Sequence, residues 1–190
     1  MKRDGARVTD RVDVGRLVAR ACGIEQAGLR GRIAFVLFDR FGNIKDCGHA
    51  PNLITDTGDE MYSKRGASVS VNVPTGMRLG TGSTAVAKNG AGAAIVTYVS
   101  ASQRAIDGGF PTAATKGAGL GWRVTWQSTW AAGIATGSGI AEVVVTNETA
   151  LTDVAGTAAN TISRALISPV VNKGASDSLV VSWFHDLLGS

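Results

Sequence analysis

The sequence predicts a mainly β protein: an antiparallel β-sandwich of seven to nine strands, one or two short helices and an extended N-terminal arm. Three observations predict it. The segment Trp122 to Trp130, WRVTWQSTW, alternates strictly. Trp122, Val124, Trp126 and Trp130 share one face with Ser128, while Arg123, Thr125, Gln127 and Thr129 share the other. A period of two is what a strand with one buried and one wet face requires. Next, Ile140–Thr146, Thr161–Ser168 and Leu179–Asp186 are all short and rich in β-branched or aromatic residues. Finally, Gly, Ala, Asn, Ser and Asp separate these runs, as the turns of a sheet demand.

Residues 1–31 read as a basic arm, and 32–190 as the β domain. In the arm, Val14, Leu17, Val18, Ala21 and Cys22 recur at helical spacing while Arg11, Arg16 and Arg20 point elsewhere, with Asp10 as N-cap and Gly23 as stop. A helix of three turns is marginal alone and needs a surface to lie against. Arg32–Asp39 is a strand, Arg40–Asn43 its turn and Ile44–Cys47 the return. Thr57-Gly58-Asp59-Glu60 has the capping-box form and opens a short helix ending at Gly66. Val69–Val73 and Met77–Leu79 read as short strands, 80–93 as a glycine-rich loop, Ala94–Val99 as a strand and Ser100–Gly121 as a long loop. The four strands already named complete the chain.

Composition bounds the function. Hydrophobic residues make up 44% and charged ones 18%, enough apolar material for a core. Residues 1–45 hold ten Lys/Arg against five Asp/Glu, and the remainder nine against ten, so the basic excess belongs to the front of the chain. No aromatic residue interleaves with the arm's arginines before Phe35, which argues against a nucleic-acid grip. No apolar run reaches the roughly 20 residues that a membrane span needs, and the charged N-terminus lacks a signal-peptide core, so a soluble protein made in a cytoplasm is expected. Cys22 and Cys47 are too few for a cystine scaffold and read as reduced thiols.

No reaction chemistry emerges. Gly80–Thr84 suggests a phosphate loop, but Lys88 is followed by Asn89 and no helical pattern follows. Cys47-x-His49 lacks a second ligand pair, so no metal or other cofactor is expected, and His185 reads as a histidine at a sheet rim or subunit contact. No nucleophile elbow is present. Glu142 falls between apolar residues in a strand, and Arg164, similarly placed in the next, is its natural cross-strand partner. Asn147-Glu148-Thr149 matches a glycosylation triplet by coincidence. The expectation is a non-enzymatic protein. Trp122, Trp126, Trp130 and Trp183 are the candidates for core or subunit packing.

The ordered set Asn52-Leu53-Ile54-Thr55, Leu79-Gly80-Thr81-Gly82, Ile140-Ala141-Glu142, Ser163-Arg164-Ala165 and Asp177-x-Leu179-x-Val181-x-Trp183 resembles small virion proteins of tailed bacteriophages, including the head-proximal module of tail-collar fibre proteins. The likeness spans residues 32–188 and leaves the arm outside it. It implies a structural component on the virion exterior, either a tail or collar accessory, slightly favoured, or a capsid-decorating cement protein. The implied partners are copies of itself, a trimer among the forms it fits, and other virion proteins such as the major capsid or tail proteins. Arg11, Arg16 and Arg20, with Leu17 and Val18 as apolar anchor, are then the expected docking residues. The alternative is a host-surface carbohydrate-binding module, for which Phe110 is the sole aromatic residue in the 100–121 loop.

Overall fold

The computed structural model describes residues 28–188. Nine antiparallel strands form one continuous sheet: β1 Gly28–Phe38, β2 Ile44–Ile54, β3 Gly76–Gly80, β4 Arg104–Ala105, β5 Thr112–Thr115, β6 Trp122–Trp130, β7 Gly137–Thr146, β8 Thr161–Lys173 and β9 Ser178–Leu188. Their order across the sheet is β4-β3-β7-β8-β2-β1-β9-β6-β5. The sheet curls into a half-barrel, so that the Asp107 amide donates to the Gln127 carbonyl (2.8 Å) and the Ser128 hydroxyl to the Ala105 carbonyl (3.0 Å).

Two stacked sheets were expected; the two faces are instead two walls of one sheet. The joint between them is β2. It pairs with β1 from Gly31↔Asn52 to Phe38↔Ile44, and with β8 only at Asn52↔Ala165, Leu53↔Arg164 and Ile54↔Ser163. That short seam carries the hydrogen bonding from one wall to the other, and no local sequence signal marks it. The last strand, β9, lies between β1 and β6 and pairs with both along its length.

The core fills the space between the walls. Ile33, Phe35 and Leu37 of β1, Leu179, Val181 and Trp183 of β9, and Trp126 and Trp130 of β6 face Met77 and Leu79 of β3 and Val143 and Val145 of β7. The period of two puts them there: Trp126 pairs with Trp183, and Trp183 with Ile33, in one row across the sheet. Trp130 is fully buried and its indole N–H donates to the Ser102 carbonyl (2.6 Å). Trp122 departs from the expectation of core packing. It keeps the same face, but as the first residue of β6 it overhangs the end of the core and is 58% exposed. Trp126→Ala is therefore expected to cost about 3–5 kcal/mol, and Trp122→Ala no more than about 0.5 kcal/mol, in denaturant unfolding. Equal costs would mean that the burial contrast is wrong.

One α-helix is present among the described residues, α1 Asp56–Gly66. Its N-cap is Thr55, whose hydroxyl oxygen accepts from the Gly58 amide (3.1 Å), so the cap lies two residues before the expected Thr57. Thr57 instead donates to the Ala158 carbonyl (2.9 Å). Asp56 and Asp59 in the first turn and Lys64 and Arg65 in the last complement the helix dipole. Met61 and Tyr62 turn into the core. The β1–β2 turn is built on Asp39, whose carboxylate accepts from the Phe41 and Asn43 amides, with Gly42 at φ +83°.

Other boundaries shifted. β1 starts at Gly28, inside the expected arm, because Gly28–Gly31 pair with Leu188–His185. Val69–Val73 is not a strand, and the 100–121 segment contains β4 and β5. Ala94–Val99 is not a strand either: its Val96 and Thr97 amides bond to a side chain, not to a neighbouring strand.

Candidate functional site

That side chain is Glu142, on the outer face of β7. One oxygen, Oε1, accepts from the amides of Gly82 (2.9 Å), Val96 (3.0 Å) and Thr97 (2.8 Å). The other, Oε2, accepts from Arg164 Nε (3.0 Å) and Nη2 (2.6 Å). Arg164 Nη1 continues to the carbonyls of Thr84 (2.8 Å) and Gly92 (3.2 Å). Both side chains are fully buried. The sequence-derived pair is thus brought together, and it does more than link two strands: it pins the 82–97 loop over the wall. A Cβ on Gly82 or on Gly80 would lie 2.5 Å from Glu142 Oε1, which explains the glycines of the L-G-T-G stretch without any phosphate.

A second clamp was not foreseen. Arg78, on the same outer face in β3, is fully buried. It donates to the carbonyls of Val154 (2.7 Å) and Thr152 (3.1 Å) and to the Thr146 hydroxyl (2.6 Å), and it pairs with Glu148. Between the bound carbonyls, Asp153 accepts from the Tyr98 hydroxyl (2.7 Å) and the Ala101 amide (2.7 Å), tying the second loop to the first. The available signal was an arginine between Met77 and Leu79, matching Glu142 and Arg164 in being charged within an apolar strand.

On the inner face His185 is fully buried, not at the rim as expected. Trp183 Nε1 donates to its Nε2 (3.1 Å), and Tyr62 Oη lies 2.8 Å from its Nδ1. An indole N–H is only a donor, so Nε2 must be the unprotonated nitrogen and Nδ1–H donates to the tyrosine oxygen. A second proton would set two donors against each other. Burial pushes the imidazole down to about 3, and pushes the Tyr62 phenol upward.

The rim where β1 begins and β9 ends carries exposed groups of both kinds. On the outer face, Asp186 accepts from Arg123 Nε (2.7 Å), Arg123 Nη2 (3.1 Å) and Lys116 Nζ (2.9 Å), with Arg32 Nη2 at 3.6 Å. The bond from Arg123, reinforced by Lys116, holds the Asp186 carboxyl well below the usual carboxylate range. Arg30, Arg32, Lys116 and Asp186 line a depression of about 210 Å³. Leu120, Trp122 and Leu187 stand exposed at the same rim.

The expected docking residues Arg11, Arg16, Leu17, Val18 and Arg20 lie outside the described residues, as does Cys22; Cys47 is exposed and has no disulfide partner among the described residues. Among the described residues no group of three or more His, Cys, Asp or Glu could hold a metal ion, and no helix is long and apolar enough to cross a membrane. No protein-family model matches the chain, and no curated protein or solved structure matches it.

Proposed function

We propose that this protein is a non-enzymatic structural component of a tailed-bacteriophage virion, an oligomeric accessory on the particle exterior. Within that role, a tail or collar fibre-type module is favoured over a capsid-decoration protein. The observation that carries the reading is how the sequence motifs are used. L-G-T-G, I-x-E and S-R-A converge on one buried clamp at Gly82, Glu142 and Arg164, while Leu179, Val181 and Trp183 build the core. The residues behind the resemblance thus serve to stiffen a two-walled sheet. The buried charges Glu142, Arg164 and Arg78 have their bonding capacity taken up by the protein's own loops. A rigid body with exposed aromatic and arginine side chains at one rim suits assembly against other subunits.

Particles assembled with a chain lacking residues 1–25 test the role of the arm: loss of the protein from purified virions is expected, and unchanged attachment would remove the arm from the account. Antibody labelling confined to the tail supports the favoured placement, and labelling spread over the head replaces it with the cement role.

A further inference from the structure

The rim described above holds two successive cross-strand rows. The first is Trp122, Leu187 and Leu29, paired across β6, β9 and β1. The second, one residue further in and on the opposite face, is Arg123, Asp186 and Arg30. Arg32 follows two residues along β1, and Lys116 reaches over from the β5–β6 turn. Four cations therefore surround one carboxylate, an excess of three positive charges. Arg123 and Lys116 occupy both Asp186 oxygens. Arg32 stands beyond hydrogen-bond distance at 3.6 Å, and among the described residues no ion pair joins Arg30. Donors exceed acceptors on this face, and Arg30 and Arg32 are exposed.

We infer that this rim is a docking surface for an acidic segment of a partner protein, whose carboxylates take the free donors of Arg30 and Arg32 while an apolar neighbour covers Trp122 and Leu187. Charge decides between the possible occupants. The chain's own residues 1–27 carry six Lys/Arg against four Asp/Glu, so the segment that continues from this rim matches the sign of the patch. A second copy related by a two-fold axis through the rim would bring the same cationic face. A nucleic acid would call for a basic stripe following its backbone, whereas these cations crowd round one aspartate, with an exposed tryptophan and leucine on the other face of the same strand ends. Arginine next to tryptophan is the composition of protein-binding hot spots. The inference rests on the reading of an assembling protein, but it concerns the isolated chain, so its failure would leave the particle-attachment test standing.

Binding of a labelled oligoglutamate peptide to the full chain tests it, by fluorescence anisotropy at low and at physiological salt. The double variant Arg30→Gln/Arg32→Gln is expected to weaken binding roughly tenfold or more. It leaves Arg123 and Lys116 on Asp186, so circular dichroism and thermal melting should match the parent. Trp122→Ser tests the apolar row with a partner-like peptide in which leucines alternate with glutamates, and severalfold weakening is expected. The charge-matched control Arg40→Gln/Lys64→Gln lies elsewhere on the molecule and should bind as the parent does. Absence of oligoglutamate binding would overturn the inference, as would equal weakening in the control. Tighter binding of duplex DNA than of oligoglutamate, lost in the Arg30/Arg32 variant, would also overturn it by making the rim a nucleic-acid surface.

Discussion

Glu142→Ala is expected to destabilise the protein by about 3–5 kcal/mol, the range for removing one partner of a buried ion pair. At roughly 2–4 °C per kcal/mol for a chain of this size, the melting temperature should fall by about 6–20 °C. The loss has two parts. Arg164 would remain as a buried cation with only the Thr84 and Gly92 carbonyls for company, and the Gly82, Val96 and Thr97 amides would lose their acceptor. Unsatisfied buried donors cost about 1–3 kcal/mol each where water cannot reach them, and loop opening relieves part of that. Amide exchange should accordingly rise first in residues 82–97, before the strands. Combining Glu142→Leu with Arg164→Met removes both charges and should recover part of the stability, but not all, because the loop's backbone groups stay unpaired. A cost under about 1 kcal/mol for Glu142→Ala would mean that the loop holds without its clamp.

Acid should weaken the fold well before carboxylates titrate. His185 is held neutral in the folded state down to about pH 3, whereas in the unfolded chain it protonates near pH 6.5. Between those values the unfolded state binds the additional proton, so stability falls with falling pH by about 1.4 kcal/mol per unit. At pH 4.5 the loss is on the order of 3 kcal/mol, and below about pH 3 it levels off because both states are then protonated. Asp186 acts in a lower window. Its depressed pKa stabilises the fold above the ordinary carboxylate value, and that contribution is lost as pH drops through the acid range. His185→Gln cannot titrate, so urea unfolding of this variant between pH 4.5 and 6.5 should show a much flatter dependence. A parent slope that survives the substitution would place the acid sensitivity elsewhere.

Much of the fold could be read from alternation. It gave β6, β9 and the β1–β2 hairpin, and it put Trp126, Trp130 and Trp183 on the buried face. It fades where a strand is covered on both sides, and β7 was legible as a β-branched run instead. All residues from Ile140 to Thr146 are buried, because the clamped loops shield the outer face of β7 while the core shields the inner one. The apolar run Ala94–Val99 resembled a strand, but its Val96 and Thr97 amides answer to Glu142, 45 residues or more away in sequence, and only an isolated bridge at Tyr98 meets β3. β4 and β5 span two and four residues, too short to show any period. The single sheet depends on the three-pair seam between β2 and β8, which joins segments more than a hundred residues apart. Of the candidate site, the Glu142–Arg164 pair was visible as charge inside apolar strands. Arg78 carried the same signal unread, and His185 was placed on the correct face at the wrong depth.

The position of β9 bears on how the molecule comes into being. With β1 on one flank and β6 on the other, this strand bridges the earliest and a much later part of the described chain. Until the ribosome has delivered Leu188, β1 lacks one neighbour and β6 lacks its ladder partner on that flank, keeping the Asp107–Gln127 and Ser128–Ala105 hydrogen bonds to the far wall. The nascent polypeptide therefore waits with open strand edges and unsheltered indoles, and final closure is a long-range, slow event. Truncation within the last strand would consequently split the sheet into two pieces, not trim its border.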